Sequence, residues 1–164
     1  MSVAEFVNNN SAVLVAVAFL GIMGMFAWDH RRSTRALLAI GAVILVLAGG
    51  FWTSREGPSD VATIAEVDRI VGAGTPVVLE VYSDSCTICL ISKRSVDGME
   101  ADLDGDAIVL RLNLGEEVGK ETARRYGVGF TPTFVVFTAD GREVHRESGF
   151  PDIDRLKSEV LSSA

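Results

Sequence analysis

Residues 77–89 read VVLEVYSDSCTIC and carry an apolar run directly into a pair of cysteines. Residues 77–82 are predicted to form a β-strand. A helix is predicted from Cys86 to about Leu103, because apolar residues recur at mixed short spacings along it: Ile88, Ile91, Val96 and Met99. The two cysteines of the chain therefore lie at a strand-to-helix junction.

The spacing of Cys86 and Cys89 predicts a redox pair. Side chains at positions i and i+3 of a helix are neighbours, with Cβ atoms about 5–6 Å apart, so a small adjustment brings the two sulfurs within disulfide reach. At the helix N-terminus Cys86 would meet unpaired backbone N–H groups and the positive end of the dipole, which stabilise a thiolate. We therefore assign Cys86 as the nucleophile and Cys89, one turn deeper, as the resolving thiol.

Other interpretations of the cysteine pair remain open at this stage. A structural disulfide closing so small a loop removes little chain entropy, so stability alone explains it poorly. A zinc site needs about four ligands, and the two histidines of the chain are His30 and His145. Two inert buried cysteines are the remaining alternative. We expect no metal and no other cofactor.

The rest of the C-terminal region predicts alternating helices and strands. A helix capped by Asp60 is expected to run to about Val71, and another to occupy residues 116–126. Strands are expected at 108–114, 133–138 and 142–148, the last two forming a hairpin around residues 139–141, and Asp152 begins a last helix. The order α-β-α-β-α-β-β-α predicts an α/β domain, a mixed sheet with helices on both faces.

The N-terminal third predicts a transmembrane helical hairpin. Residues 11–28 and 36–52 contain no charged side chain, and each would span about 26 Å as a helix. Trp28 and Trp52 end the two runs as expected interface anchors. We divide the chain into a tail (1–10), the hairpin (11–52) with a loop at 29–35, a linker (53–59) and a globular domain (60–164). A soluble buried helix pair and a cleaved signal peptide are the alternatives.

Charges predict the orientation of this hairpin. The loop contains Arg31, Arg32 and Arg35, whereas residues 1–10 contain neither Arg nor Lys and only Arg55 follows closely after the second run. The loop is therefore expected to be cytoplasmic. The protein is then a multi-pass protein of the plasma (inner) membrane with its globular domain extracytoplasmic, for example in the periplasm. Residues 53–164, the linker and the domain together, contain 12 Lys and Arg against 20 Asp and Glu, which argues against nucleic acid as a partner.

Several spaced features resemble the thioredoxin superfamily over roughly residues 60–162. Residues 77–89 are similar to its strand and active-site turn. Residues 127–133, GVGFTPT, are similar to its segment with a cis-proline, followed by a strand at 134–137, a hairpin turn and Gly149. The chain most resembles membrane-bound thioredoxin-like proteins and the C-terminal domain of periplasmic thiol-transfer reductases. The fold class expected is therefore thioredoxin-like α/β after a two-helix hairpin.

This resemblance implies a substrate-binding edge. Pro132, in the cis form, would present the Thr131 backbone opposite Cys86 to pair with an extended substrate; the alternative is a proline that merely starts a strand. The family usually carries Trp before its first cysteine and often Gly-Pro between the two, whereas this chain has Ser85 and then Thr87-Ile88. The reduction potential depends on these positions. Ile88 either contacts a partner or packs into its own domain.

The resemblance also points to Glu80, six residues before Cys86. The family places there a buried acid that assists proton transfer at the resolving cysteine. Burial in an apolar strand would raise the pKa of this carboxyl; the alternative is a residue at the sheet edge that reaches water. Arg111 stands where relatives often carry a lysine near this acid, so it either pairs with Glu80 or faces solvent. We expect His145 at the surface.

The resulting hypothesis is a thiol-disulfide oxidoreductase, specifically a reductase of extracytoplasmic protein disulfides, for example in cytochrome c maturation. Its expected partners are protein disulfides and, from the resemblance alone, a membrane-embedded thiol electron carrier. Relatives that act as oxidases typically carry a sizeable helical insertion, which a domain of about a hundred residues has no room for. The alternatives are a redox-inactive membrane interaction module and a disulfide-forming oxidase.

Overall fold

The computed structural model describes residues 2–29, 34–54 and 57–163. The predicted loop arginines Arg31 and Arg32, together with His30 and Arg55, lie outside the described residues, and no side chain is described for Arg35 or Trp52.

Three helices precede the globular domain. They are α1 (Val3–Asn9), α2 (Ser11–Asp29) and α3 (Thr34–Ser54). The domain then follows with the predicted order of elements: α4 (Ile64–Ile70), β1 (Val77–Tyr82), α5 (Thr87–Asp102), β2 (Ile108–Asn113), α6 (Glu117–Arg125), β3 (Thr133–Phe137), β4 (Glu143–Ser148) and α7 (Ile153–Leu161). The sequence-based order is therefore confirmed.

The four strands form one mixed sheet in the order β2-β1-β3-β4. β1 pairs in parallel with β2 and antiparallel with β3, and β3 pairs antiparallel with β4. Central β1 ends at Tyr82, directly before the loop that carries the cysteines. The side chains of β1 alternate between the two faces of the sheet, so Val78, Glu80 and Tyr82 share one face.

Helices cover both faces of the sheet, as predicted. On one face, Leu79 packs with Val67 of α4 and Val118 of α6. On the other, Val78 packs with residues of α5 and α7: Val96, Met99, Leu156 and Val160. Because α5 lies on the same face as Val78, its first turn is brought next to Glu80 and Tyr82.

The first helix of the domain begins later than predicted. Thr63, not Asp60, is the N-cap of α4: its side chain accepts from the Glu66 N–H, and Glu66 reaches back to the Thr63 N–H in a capping box. The Asp60 carboxylate instead accepts from the Arg111 backbone N–H at 2.6 Å. The prediction of an Asp60 cap was wrong because this side chain found its donor on β2.

Part of the predicted linker packs against the domain. The Tyr82 hydroxyl donates to the Gly57 carbonyl at 2.7 Å, and the Asn113 N–H donates to the Ser59 hydroxyl oxygen at 2.8 Å. With the Asp60 contact, these bonds fix residues 57–60 along the end of β2. The chain therefore leaves α3 and is attached to the domain within a few residues.

One helix within the described residues is long and apolar enough to cross a membrane. It covers Ser11–Trp28, with a mean hydropathy of 2.2, and none of it is buried. The second apolar stretch, Leu37–Gly50 within α3, is shorter. The two-helix hairpin therefore stays a prediction. Residues 1–10, interpreted as a tail, contain α1, which Ser2 and Glu5 cap in the same reciprocal way as Thr63 and Glu66.

His145 is less exposed than the sequence predicted. Its side chain is only 10% exposed and its Nε2 lies 3.1 Å from Glu147 Oε2. It lies on the outer strand β4, where it pairs with Val136 of β3.

Candidate active site

Cys86 is the N-cap of α5. Its backbone is extended (φ −98°, ψ 121°), and its sulfur accepts a hydrogen bond from the Cys89 backbone N–H at 3.4 Å. This N–H is one of the donors that a helix leaves without an internal partner at its start. The local geometry thus places the sulfur where the sequence predicted it, at the N-terminus of the helix. Both cysteines are free thiols and neither is exposed to solvent.

The two thiols differ in acidity. A hydrogen bond from the Cys89 thiol, helped by the Cys89 backbone N–H, lowers the pKa of Cys86 to about 6, although burial acts in the opposite direction. Burial raises the pKa of the Cys89 thiol far above its usual value, and its interaction with Cys86 and the negative charge of Glu80 raise it further. One sulfur is therefore prepared as a thiolate and the other as a thiol, the asymmetry expected of an attacking and a resolving cysteine.

Thr131 lies directly against Cys86. The Cys86 sulfur lies 3.1 Å from the Thr131 carbonyl oxygen, to which it donates a hydrogen bond while it is protonated, and the Thr131–Pro132 peptide bond is cis, as the resemblance implied. Ile88 is half-buried and packs on the cluster of Tyr82 and the two cysteines. The structure thus brings Thr131, Pro132 and Ile88 together around the cysteine pair, while their role in binding a substrate stays a prediction.

Glu80 lies on the central strand of the sheet and is fully buried. The alternative of a sheet-edge residue that reaches water is therefore wrong. Arg111 is its partner on β2 in the parallel register, and the Arg111 Nε lies 2.9 Å from Glu80 Oε2, with the arginine side chain 11% exposed. A second ion pair joins Arg111 to Asp97 of α5 at 2.8 Å. Solvent exposure of Arg111 is excluded in favour of the ion pair.

The N-terminal residues contribute to this site, which the sequence interpretation missed. Asn9 is buried, and its side-chain oxygen accepts from both the N–H and the hydroxyl of Thr131, at 3.1 and 2.9 Å. The Asn8 amide donates to the Thr131 carbonyl at 2.8 Å. The available signal was a run of three asparagines immediately before an apolar segment, because asparagine side chains carry both a donor and an acceptor.

No group of three or more His, Cys, Asp and Glu side chains that could hold a metal occurs within residues 2–29, 34–54 and 57–163.

A family model described as a thioredoxin-like domain matches residues 65–162. The chain belongs to the thioredoxin-like family. A thioredoxin-like domain with two cysteines at the start of α5 implies thiol-disulfide oxidoreductase activity in general, acting on protein disulfides. The membership also agrees with the mixed sheet and with the position of the Cys86–Cys89 pair at the carboxyl end of β1.

Solved thioredoxin structures resemble this domain. A mutant thioredoxin from Halobacterium salinarum is 30% identical, with a TM-score of 0.53, and the match covers 63% of this chain and 87% of that one. Fasciola hepatica thioredoxin is 23% identical (TM-score 0.53, covering 63% and 96%). Mitochondrial thioredoxin 3 from Saccharomyces cerevisiae, in its oxidised form, is 15% identical (TM-score 0.55, covering 69% and 98%). The latter two likenesses show the thioredoxin-like fold.

Proposed function

We propose that this chain is a membrane-anchored reductase of extracytoplasmic protein disulfides, with Cys86 as nucleophile and Cys89 as resolving thiol. The position of Cys86 is the observation that carries the proposal: its sulfur caps the N-terminus of α5 and accepts from the Cys89 N–H at 3.4 Å, beside the cis Thr131–Pro132 bond. The pKa of Cys86 is lowered to about 6 while that of Cys89 is raised. An inert buried pair has no need of such a difference, whereas attack followed by resolution requires it.

The proposed reaction has two steps. The Cys86 thiolate attacks one sulfur of the partner's disulfide, so that a mixed disulfide forms and the second partner sulfur leaves with the electron pair of the broken bond. Cys89 then loses its proton and attacks the Cys86 sulfur, which breaks the mixed disulfide and releases the partner as a dithiol. Two electrons pass to the partner, and the chain is left with a Cys86–Cys89 disulfide.

We assign the neighbouring residues according to their contacts. Glu80, buried on the same face of the sheet as the α5 helix, would accept the proton of Cys89. Arg111 would position that carboxylate through the 2.9 Å ion pair. The Thr131 backbone and Pro132 would pair with the partner's main chain, and the half-buried Ile88 would supply an apolar contact.

The environment of α2 supports membrane anchoring. None of its 18-residue apolar window is buried, and exposing so much apolar surface to water is unfavourable by about 25 cal/mol per Å². An apolar cleft of about 530 Å³ lies between α2, α3 and the first turns of α5, lined by residues that include Phe19, Leu47 and Leu90. We propose that α2 and α3 form the two-span hairpin, with the arginine loop cytoplasmic and the domain outside.

The size of the domain favours reduction as the direction. The elements of the domain are those of the thioredoxin-like core, which leaves no large insertion for holding unfolded chains. We propose that a membrane-embedded thiol carrier reduces the Cys86–Cys89 disulfide again after each reaction. We also propose that proteins awaiting haem attachment are among the substrates.

A trapping experiment tests this function. Replacing Cys89 with serine removes the resolving thiol, so a partner attacked by Cys86 should stay covalently attached until a reductant is added. The matched control is the Cys86→Ser/Cys89→Ser double variant, which should trap nothing. Absence of both trapped partners and thiol exchange in vitro would favour the redox-inactive interaction module.

The direction is tested by the state of the pair in living cells, measured by rapid acid quench and thiol alkylation. A mostly reduced pair that becomes oxidised when the candidate carrier is deleted supports a reductase. A pair oxidised throughout, in a protein whose deletion depletes disulfides, identifies a disulfide-forming oxidase instead.

A further inference from the structure

The backbone of Thr131 is already occupied by the N-terminal segment. Asn9 accepts from the Thr131 N–H at 3.1 Å, and Asn8 donates to the Thr131 carbonyl at 2.8 Å. An asparagine carboxamide carries the same C=O acceptor and N–H donors as a peptide group. The two side chains therefore bind both main-chain groups that an extended partner would need at Thr131.

The same segment is attached to both sides of Cys86. The Ser83 hydroxyl donates to the Asn9 carbonyl at 3.1 Å. The Ala12 N–H donates to the Ser85 carbonyl at 2.9 Å. The Thr87 N–H donates to the Ser11 hydroxyl oxygen, also at 2.9 Å. Residues 8–12 thus cross the loop that carries the nucleophile.

These contacts close the site to an incoming disulfide. The Cys86 side chain is 0% exposed, yet attack requires the partner's sulfur to reach Cys86 Sγ directly. A thiolate that is prepared for attack but not accessible cannot react until something moves. Residues 8–12, at the junction of α1 and α2, lie across this loop through the hydrogen bonds described above, so they are the segment that would have to move.

We propose that residues 8–12 form an autoinhibitory cap, which keeps the cysteine pair closed until a partner displaces it from Thr131. This regulation rests on the proposed function, because the cap governs access to the same sulfur. A partner that brings its own extended main chain replaces the hydrogen bonds that it breaks, whereas a small thiol or disulfide cannot. The cap therefore favours protein disulfides over small oxidants and reductants.

The test compares rates of Cys86 modification by N-ethylmaleimide in the full chain, reconstituted in lipid nanodiscs. The Asn8→Ala/Asn9→Ala variant loses the bonds to Thr131. Asn10→Ala is the matched control, because the Asn10 amide bonds to the Phe6 carbonyl instead, at 2.9 Å. Measurements at pH 8 keep Cys86 ionised in all three proteins. A difference in rate therefore reports how easily N-ethylmaleimide reaches the Cys86 sulfur. We expect about a tenfold or greater increase in the double variant and no change in the control.

Equal modification rates in the wild type and the double variant would overturn the cap. A second measurement, amide hydrogen exchange at Thr131, uses the wild-type protein and so does not depend on the folding of a variant. The Thr131 N–H, which is bonded to Asn9, should be protected from exchange. Rapid exchange would equally overturn the proposal. Reduction of a disulfide-linked peptide separates the two proposals. Faster modification of the variant with no peptide reduction by any protein supports the cap and contradicts the oxidoreductase. Peptide reduction by both proteins, with no difference in their modification rates, contradicts the cap alone.

Discussion

The apolar side chains of β1 and of α2 meet opposite surroundings. Every residue of β1 is buried, whereas no part of the Ser11–Trp28 window is. Both segments are rich in valine and leucine, so composition alone does not distinguish them. The difference teaches that the domain buries its apolar side chains in its own core, while those of α2 stay exposed, which is the observation behind the proposed membrane anchor. Substitutions in the two regions should therefore have different consequences.

The largest expected effect is the loss of disulfide reduction when Cys86 is replaced, compared with a substitution on α2. Cys86→Ser should lower the rate of disulfide reduction by more than about 1000-fold, because the nucleophile is lost. Val17→Ala, on the exposed surface of α2, should leave the rate unchanged. The assay follows reduction of a protein disulfide by the reconstituted full chain with an added thiol donor. A Cys86→Ser protein with substantial remaining activity would contradict the assignment of the nucleophile.

The next effect concerns stability. Leu79→Ala in β1 should lower the free energy of unfolding by about 2–5 kcal/mol, because it leaves a cavity in a closely packed core. Leu20→Ala in α2, where the side chain is exposed, should change it by less than about 0.5 kcal/mol. Urea titration of the detergent-solubilised protein, followed by circular dichroism, measures both. Similar losses for the two variants would mean that α2 belongs to the folding core.

A smaller effect is expected at the buried carboxylate. Glu80→Gln should slow resolution of the mixed disulfide by about 100-fold, because the amide cannot accept the proton of Cys89. Formation of the mixed disulfide at Cys86 should keep its rate. Stopped-flow measurement of the two steps distinguishes them, with the exposed Asp104→Asn as the matched control. Equal slowing of both steps would indicate that Glu80 only supports the fold.

The smallest effect is a pH dependence. The thiolate reacts and the thiol does not, so the rate of Cys86 alkylation should follow the deprotonated fraction. With a pKa of about 6, that rate should be half-maximal near pH 6 and fall about tenfold from pH 7 to pH 5. Cys89, whose pKa is raised, should not react over this range. A midpoint near the ordinary pKa of a thiol would show that the neighbours of Cys86 do not lower its pKa.

Much of the domain could be predicted because its signals are local. The strand Val77–Tyr82 was placed at its observed bounds, and Cys86 was placed at the start of its helix. The Asp60 cap failed because its carboxylate bonds to Arg111, 51 positions away. A carboxylate near a helix start can accept a hydrogen bond from the helix or from a distant backbone N–H. Sequence patterns describe only the donors that are close along the chain.

The cysteine pair and Pro132 were found from short motifs, whereas the asparagines at the site were not. Asn9 and Thr131 are 122 positions apart, and α1 is a short helix with no strong periodic pattern. Such a helix is stabilised by tertiary contacts more than by its own propensity. The choice between exposure and ion pairing for Arg111 likewise depended on the parallel register of β1 and β2.

The domain is attached to the helical region at two places, at residues 57–60 through Tyr82 and Asn113 and at residues 11 and 12 through Thr87 and Ser85. A single flexible tether would let the domain turn freely; while residues 8–12 cover the site, two short attachments allow it little rotation. If α2 spans the bilayer, the cysteine pair is held at a set height above the lipid and moves with the protein by lateral diffusion. Partners would then be selected by the height at which they present their disulfide, and the search for them becomes two-dimensional.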